Sequence, residues 1–113
     1  MLKPELEATR GQWIYVSCTV MVDMGGALYT RITRQCEGCS NTNLRFLHTL
    51  EHEETGTQIV VGQDCAIVLL ADGDDLPRRA ENEVKRKERW RRHYRKPGIC
   101  RVDVSELDAK GKL

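Results

Sequence analysis

The sequence predicts an α+β domain, and three observations carry that prediction. The first half alternates in the manner of strands, a run of helix formers extends unbroken from Arg78 to Lys96, and cysteines and histidines lie between them at metal-ligand spacing. At 113 residues the chain has room for one core. Hydrophobic residues make up 40% and aromatics only 5%, so that core is small and calls for a stabilising element besides apolar burial. The expected organisation is a single domain, 1–113, with a β-hairpin over 11–34, a metal-binding module over 36–71, a basic helix over 78–96 and a tail over 97–113.

Each element has a local reason. From Trp13 to Val22, the residues Ile14, Val16, Cys18, Val20 and Val22 share one parity, which predicts a strand with that side facing inward and Trp13 and Tyr15 facing out. Asp23-Met24-Gly25-Gly26 supplies turn glycines, and Ala27 to Arg34 reads as the returning strand. Leu44, Phe46, His48, Leu50 and His52 again share a parity, Glu53 to Gly56 forms a turn, and Thr57 to Gly62 returns as the next strand. Asp64 to Ala71 is a compact apolar run of one or two helical turns. After the loop Asp72 to Pro77 comes the basic helix, ended by Pro97-Gly98. Ile99 to Val104 reads as a short strand and the last nine residues as frayed chain.

The sharpest chemical feature is Cys36-Glu37-Gly38-Cys39 followed by His48, His52 and Cys65. Two cysteines separated by two residues on a tight turn aim both thiolates at one ion, and Gly38 allows the close backbone approach such a knuckle needs. Zinc suits this set because it takes four sulfur or imidazole ligands in a tetrahedron. Knuckle, hairpin and a cysteine at a helix start, in that order, resemble a treble-clef zinc finger. In that fold the helix usually gives two ligands, but the residue three after Cys65 is Val68, so the fourth ligand must come from elsewhere. His48 is expected to pair near Val61 or Gly62, close to Cys65, whereas His52 sits beside the turn, on the order of 20 Å away along the strand. The expected ligands of one structural Zn2+ are therefore Cys36, Cys39, His48 and Cys65, with His52 as the alternative to His48. Cys18 and Cys100 read as structural, and buried free cysteines with a core histidine are the competing explanation for the whole set.

The run Cys36-Glu37-Gly38-Cys39, Leu44 to His48, Glu51-His52, Thr55-Gly56, Val61-Gly62 and Cys65-Ala66 resembles a family of small uncharacterised bacterial and phage proteins with a predicted zinc motif. A basic, Trp-containing helix commonly follows there, as Arg86 to Arg92 does here. The resemblance spans roughly residues 36 to 96 and implies a metal site but no defined activity.

Catalytic patterns fare poorly. His48-Thr49-Leu50-Glu51-His52 matches the H-x-x-E-H of certain metallopeptidases, but in a strand Glu51 points away from both histidines. The H-x-E at His52 resembles that of zinc deaminases with the cysteine pair on the wrong side, and the CxxC leads into a strand rather than a redox helix. No enzyme is expected.

A formal net charge of +1 hides a strong division. Residues 1 to 77 hold five basic and eleven acidic side chains, whereas residues 78 to 96 hold ten and three. At 100° per residue Ala80, Val84, Trp90 and Tyr94 form an apolar stripe, interrupted by Lys87 and Arg91. Arg79, Lys85, Arg86, Arg89, Arg92 and Lys96 remain outside it to neutralise phosphates, and Trp90 or Tyr94, where undocked, can stack on an unpaired base. The expected partner is nucleic acid, DNA or RNA. The alternatives are an acidic protein engaged by the same helix, as for a phage accessory protein, or internal pairing with the acidic half. Outward Trp13 and Tyr15 leave a dimer open. The acidic opening residues lack the pattern of a signal peptide, and the longest uncharged stretch, Gly11 to Val22, is too short for a membrane span, so a cytoplasmic location is expected.

Overall fold

A computed structural model describes residues 3–22, 36–39, 44–70, 75–96 and 98–111. Its elements are α1 (Pro4–Glu7), β1 (Trp13–Val22), β2 (Leu47–His52), β3 (Gln58–Val61), α2 (Gln63–Leu70), α3 (Leu76–His93), β4 (Gly98–Asp103) and α4 (Val104–Gly111). The architecture is α+β, with one antiparallel sheet of order β3-β2-β1-β4. The returning strand expected over 27–34 lies outside the described residues. The described partners of β1 are β2 and β4, so the longest strand is central and apolar on its inner face.

Cross-strand register assembles the core in rows. Tyr15 lies opposite Leu50, which lies opposite Ile59; Cys18 lies between His48 and Val102, and His48 faces Val61. Directly opposed residues share a face, so these rows form the inner surface, and all are buried. The hairpin β2–β3 turns where expected, with Gly56 at φ 73° in the left-handed region that glycine enters without strain.

The parity expected for β1 holds only in its second half. Register shifts between Tyr15 and Ser17, so Val16 is the extra residue of a bulge. Side chains alternate strictly along a regular strand, and one inserted residue exchanges the two faces. Trp13 and Tyr15 therefore point inward, 8% and 2% exposed, while Ile14 is 50% exposed. The outward orientation expected of Trp13 and Tyr15, on which an open dimer surface rests, does not hold; Trp13 instead donates its indole N–H to Thr9 Oγ1 at 2.8 Å and meets His52 edge-on.

The helices cover the inner face. Ala66, Leu69 and Leu70 of α2 and Pro77, Ala80 and Val84 of α3 are buried, with Leu107 of α4 closing one end. The tail is helical rather than frayed, and its start is held by one half of a capping box, in which Glu106 Oε2 accepts the Asp103 N–H at 2.8 Å. No helix among the described residues is long and apolar enough to cross a membrane.

Side-chain orientation around the bulge is open to test. Tyr15→Phe removes a buried hydroxyl hydrogen-bonded to His48 and should lower the unfolding free energy by about 1–3 kcal/mol. Ile14→Ala should cost less than about 0.5 kcal/mol. Urea titration of both variants checks the register, which fails if the ranking is reversed.

Candidate functional site

Residues 36–39 form a turn stitched to β3 on the side away from β2. Glu37 N–H donates to Val60 O at 3.0 Å, Val60 N–H donates to Glu37 Oε2 at 2.5 Å, and Lys3 N–H donates to Gly38 O at 2.7 Å. Cys65 enters from the first turn of α2, immediately after β3 ends. Gly62 lies between them, where an added Cβ would come within 3.0 Å of Leu44. These placements bring Cys36, Cys39 and Cys65 together with every Sγ within 4.8 Å of the others, close enough to hold a metal ion.

The electrostatics of the cluster favour an anion at Cys36. Burial opposes its ionisation, but the N–H groups of Gly62, Cys39 and Gly38 and the Cys39 thiol hydrogen-bond to its sulfur, and the net shift is downward. Gly62 N–H approaches at 3.3 Å. Cys65 is pushed up to about 12, first by burial and then by its thiol contacts with Cys39 and Cys36. Three sulfurs around bound zinc would lie about 3.8 Å apart, given Zn–S bonds of about 2.3 Å, so the cluster needs to contract only slightly.

His48, expected as the fourth ligand, is engaged elsewhere. It pairs with Val61, as the turn requires, but its fully buried ring points between the sheet and α3. Nε2 lies 2.7 Å from Glu81 Oε2 and Nδ1 lies 2.8 Å from the Tyr15 hydroxyl. A carboxylate only accepts, so Nε2–H donates to Glu81, while Nδ1 is hydrogen-bonded to the Tyr15 hydroxyl. Both nitrogens are thereby satisfied by groups other than a metal. His52 braces the hairpin turn, with Nε2 at 2.8 Å from Gln12 Oε1 and Nδ1 accepting from the N–H groups of Glu54 and Thr55. Cys18 and Cys100 are buried in the sheet and outside the cluster. Burial, with Glu81 nearby, pushes the Cys18 thiol up to about 12.

Glu81 is the residue that sequence reasoning missed. Besides holding His48, it lines a cleft of about 230 Å³ together with Cys39, Cys65 and Asp64. Its helical phase relative to Ala80 and Val84 carried the signal, but a carboxylate on an apolar face is legible only once its histidine partner is known.

The basic helix is rotated from the expected docking. Its buried residues are Pro77, Ala80, Val84 and Glu88, while Trp90 and Tyr94 are 53% and 56% exposed. Glu88 is held between Arg45 and Arg92. Arg79 donates to Leu107 O at 3.0 Å and so tethers α4. Lys85 lies over the Phe46 ring, and Arg86 pairs with Glu83 at 3.2 Å on the surface. Trp90 and Tyr94 lie 4.9 Å apart between ring centroids, with Arg86, Arg89 and His93 lining the same open depression. Lys96 sits 5.5 Å above the Trp90 ring. Arg89 has no partner among the described residues.

The turn that places Lys96 there is built on a left-handed residue. Arg95 has φ 54°, its N–H donates to Arg92 O at 3.3 Å, and Lys96 N–H donates to Arg91 O at 2.8 Å. This is the paired-bond helix end in which glycine is the common occupant.

Fold and site together define an α+β domain with a three-cysteine cluster able to hold a metal ion and an exposed aromatic and basic helix end. No protein-family model matches the chain, and no curated protein or solved structure does so either.

A left-handed conformation costs a residue with a Cβ roughly 1–2 kcal/mol per position. Arg95→Gly should accordingly raise stability by about 1 kcal/mol, measured by denaturant titration.

Proposed function

We propose that this protein is a small, non-enzymatic nucleic-acid-binding protein stabilised by zinc. The observation that carries the reading is the solvent-exposed Trp90–Tyr94 pair set among Arg86, Arg89, His93 and Lys96. Large aromatics left this exposed lose the benefit of burial, whereas nucleobases offer them a stacking partner and phosphates match the flanking cations. Stacking needs an unpaired base, so single strands are the better fit. Lys85, Arg86, Arg89, Arg92 and Lys96 supply the phosphate contacts; Arg79, spent on α4, does not.

The metal has a structural part in this reading. Knuckle, β2–β3 hairpin and α2 follow the treble-clef order, and zinc is the ion whose preference three thiolates match best. A core with so few aromatics gains folding free energy from the ion. The resemblance to small bacterial and phage zinc proteins is consistent with this role. An acidic protein engaging the same helix would also exploit the cations, and salt dependence separates the two.

Metal content, folding and single-strand binding test the reading. Purified protein should carry one zinc per chain, and a strong chelator or Cys39→Ala should remove ordered structure over 36–71 in far-UV dichroism and hydrogen exchange. Trp90→Ala should weaken single-strand binding by about 1–3 kcal/mol, and Arg89→Gln should reduce the log–log salt slope by about 0.7. Binding that ignores both substitutions overturns the nucleic-acid reading, and a salt-insensitive complex with one protein replaces it.

A further inference from the structure

Resting on the zinc reading above, we infer that a metal ion on Cys36, Cys39 and Cys65 keeps its fourth position for an exchangeable neutral donor, received in the cleft beside Glu81. Three observations lead there. Among the described residues, no other histidine, cysteine, aspartate or glutamate joins the three sulfurs as a group within 4.8 Å. His48, the expected fourth ligand, has both ring nitrogens committed to Tyr15 and Glu81. Cys36 is buried under the knuckle, whereas Cys39 and Cys65 line the cleft, so the cluster's open side is the side on which Glu81 and Asp64 stand.

Charge selects the ligand. Three thiolates and a divalent ion sum to one net negative charge, and two carboxylates in the cleft add to it. A further anion is repelled at that position. A neutral donor carrying its own N–H or O–H is favoured, because it can coordinate through one atom and donate a hydrogen bond to the Glu81 carboxylate. The ring of His48 holds Oε2 of Glu81 at 2.7 Å and so fixes the carboxylate that receives it. Water fits this description, and so does a neutral imidazole, which would bind the ion through one nitrogen and donate from the other. Three protein ligands with one open position is the arrangement that exchangeable zinc sites use, in contrast to the filled tetrahedron of a purely structural ion.

Cobalt(II) loaded onto the full-length protein supplies the readout, through the thiolate charge-transfer and ligand-field bands of its visible spectrum. Imidazole should shift the ligand-field bands saturably, while azide at the same concentration leaves them unchanged. Glu81→Gln, with folding checked by far-UV dichroism, should weaken imidazole binding about tenfold. Ligand-field bands that ignore imidazole in the wild type overturn the inference, because a protein side chain then fills the position; if His48→Gln alone restores the response, that side chain is His48. An azide response equal to that of imidazole also overturns it. Loss of the charge-transfer band altogether is a different failure, that of the metal site itself.

Discussion

The chain Tyr15–His48–Glu81 is the constraint on which the rest of the structure depends. A fully buried histidine in a core this poor in aromatics is costly unless both ring nitrogens are paired. One partner comes from β1 and the other from α3, so a single residue of β2 ties sheet to helix. Meeting it requires Tyr15 to face inward, which the bulge at Val16 achieves without turning Cys18 and Val20 outward.

The same tether sets the rotation of α3. At about 100° per residue, Glu88 falls within 20° or so of Glu81, with Val84 and Pro77 nearby and Ala80 beyond Val84, and these four are the residues buried beside it. Trp90 comes half a turn away and must face solvent, with Tyr94 next to it. The aromatic platform is thus a geometric result of pairing one buried imidazole. Glu81 and Trp90 are separated by about 13 Å along the helix axis, so one rigid element links the wall of the cysteine cleft to the exposed aromatic pair.

Much of this was legible in the sequence. Hairpin β2–β3, its turn, the short helix bearing Cys65, the long basic helix and the strand after it all follow from local pattern, as does the convergence of Cys36, Cys39 and Cys65. The failures share a cause, which is that periodicity reports which residues share a side and not what faces them. A bulge leaves no mark in the alternation of Trp13 to Val22, where both parities are apolar enough to be buried. On α3 the apolar count favoured Trp90 and Tyr94 over Glu81 and Glu88, because two carboxylates look exposed until His48, Arg45 and Arg92 are known to meet them. Helix α4 is a different case: its Asp103 and Glu106 start signal was present and readable.

The stitching of the knuckle to Val60 has a consequence for the behaviour of the protein in crowded solution. Among the described residues strand β3 is an outer strand of the sheet, and an outer strand with free N–H and C=O groups is a template for pairing with another chain. Glu37 occupies both backbone groups of Val60, so the turn that brings two cysteines to the cluster also acts as an edge guard. Release of that turn would uncover a sticky β-edge, so loss of order at the cysteine cluster would be accompanied by self-association.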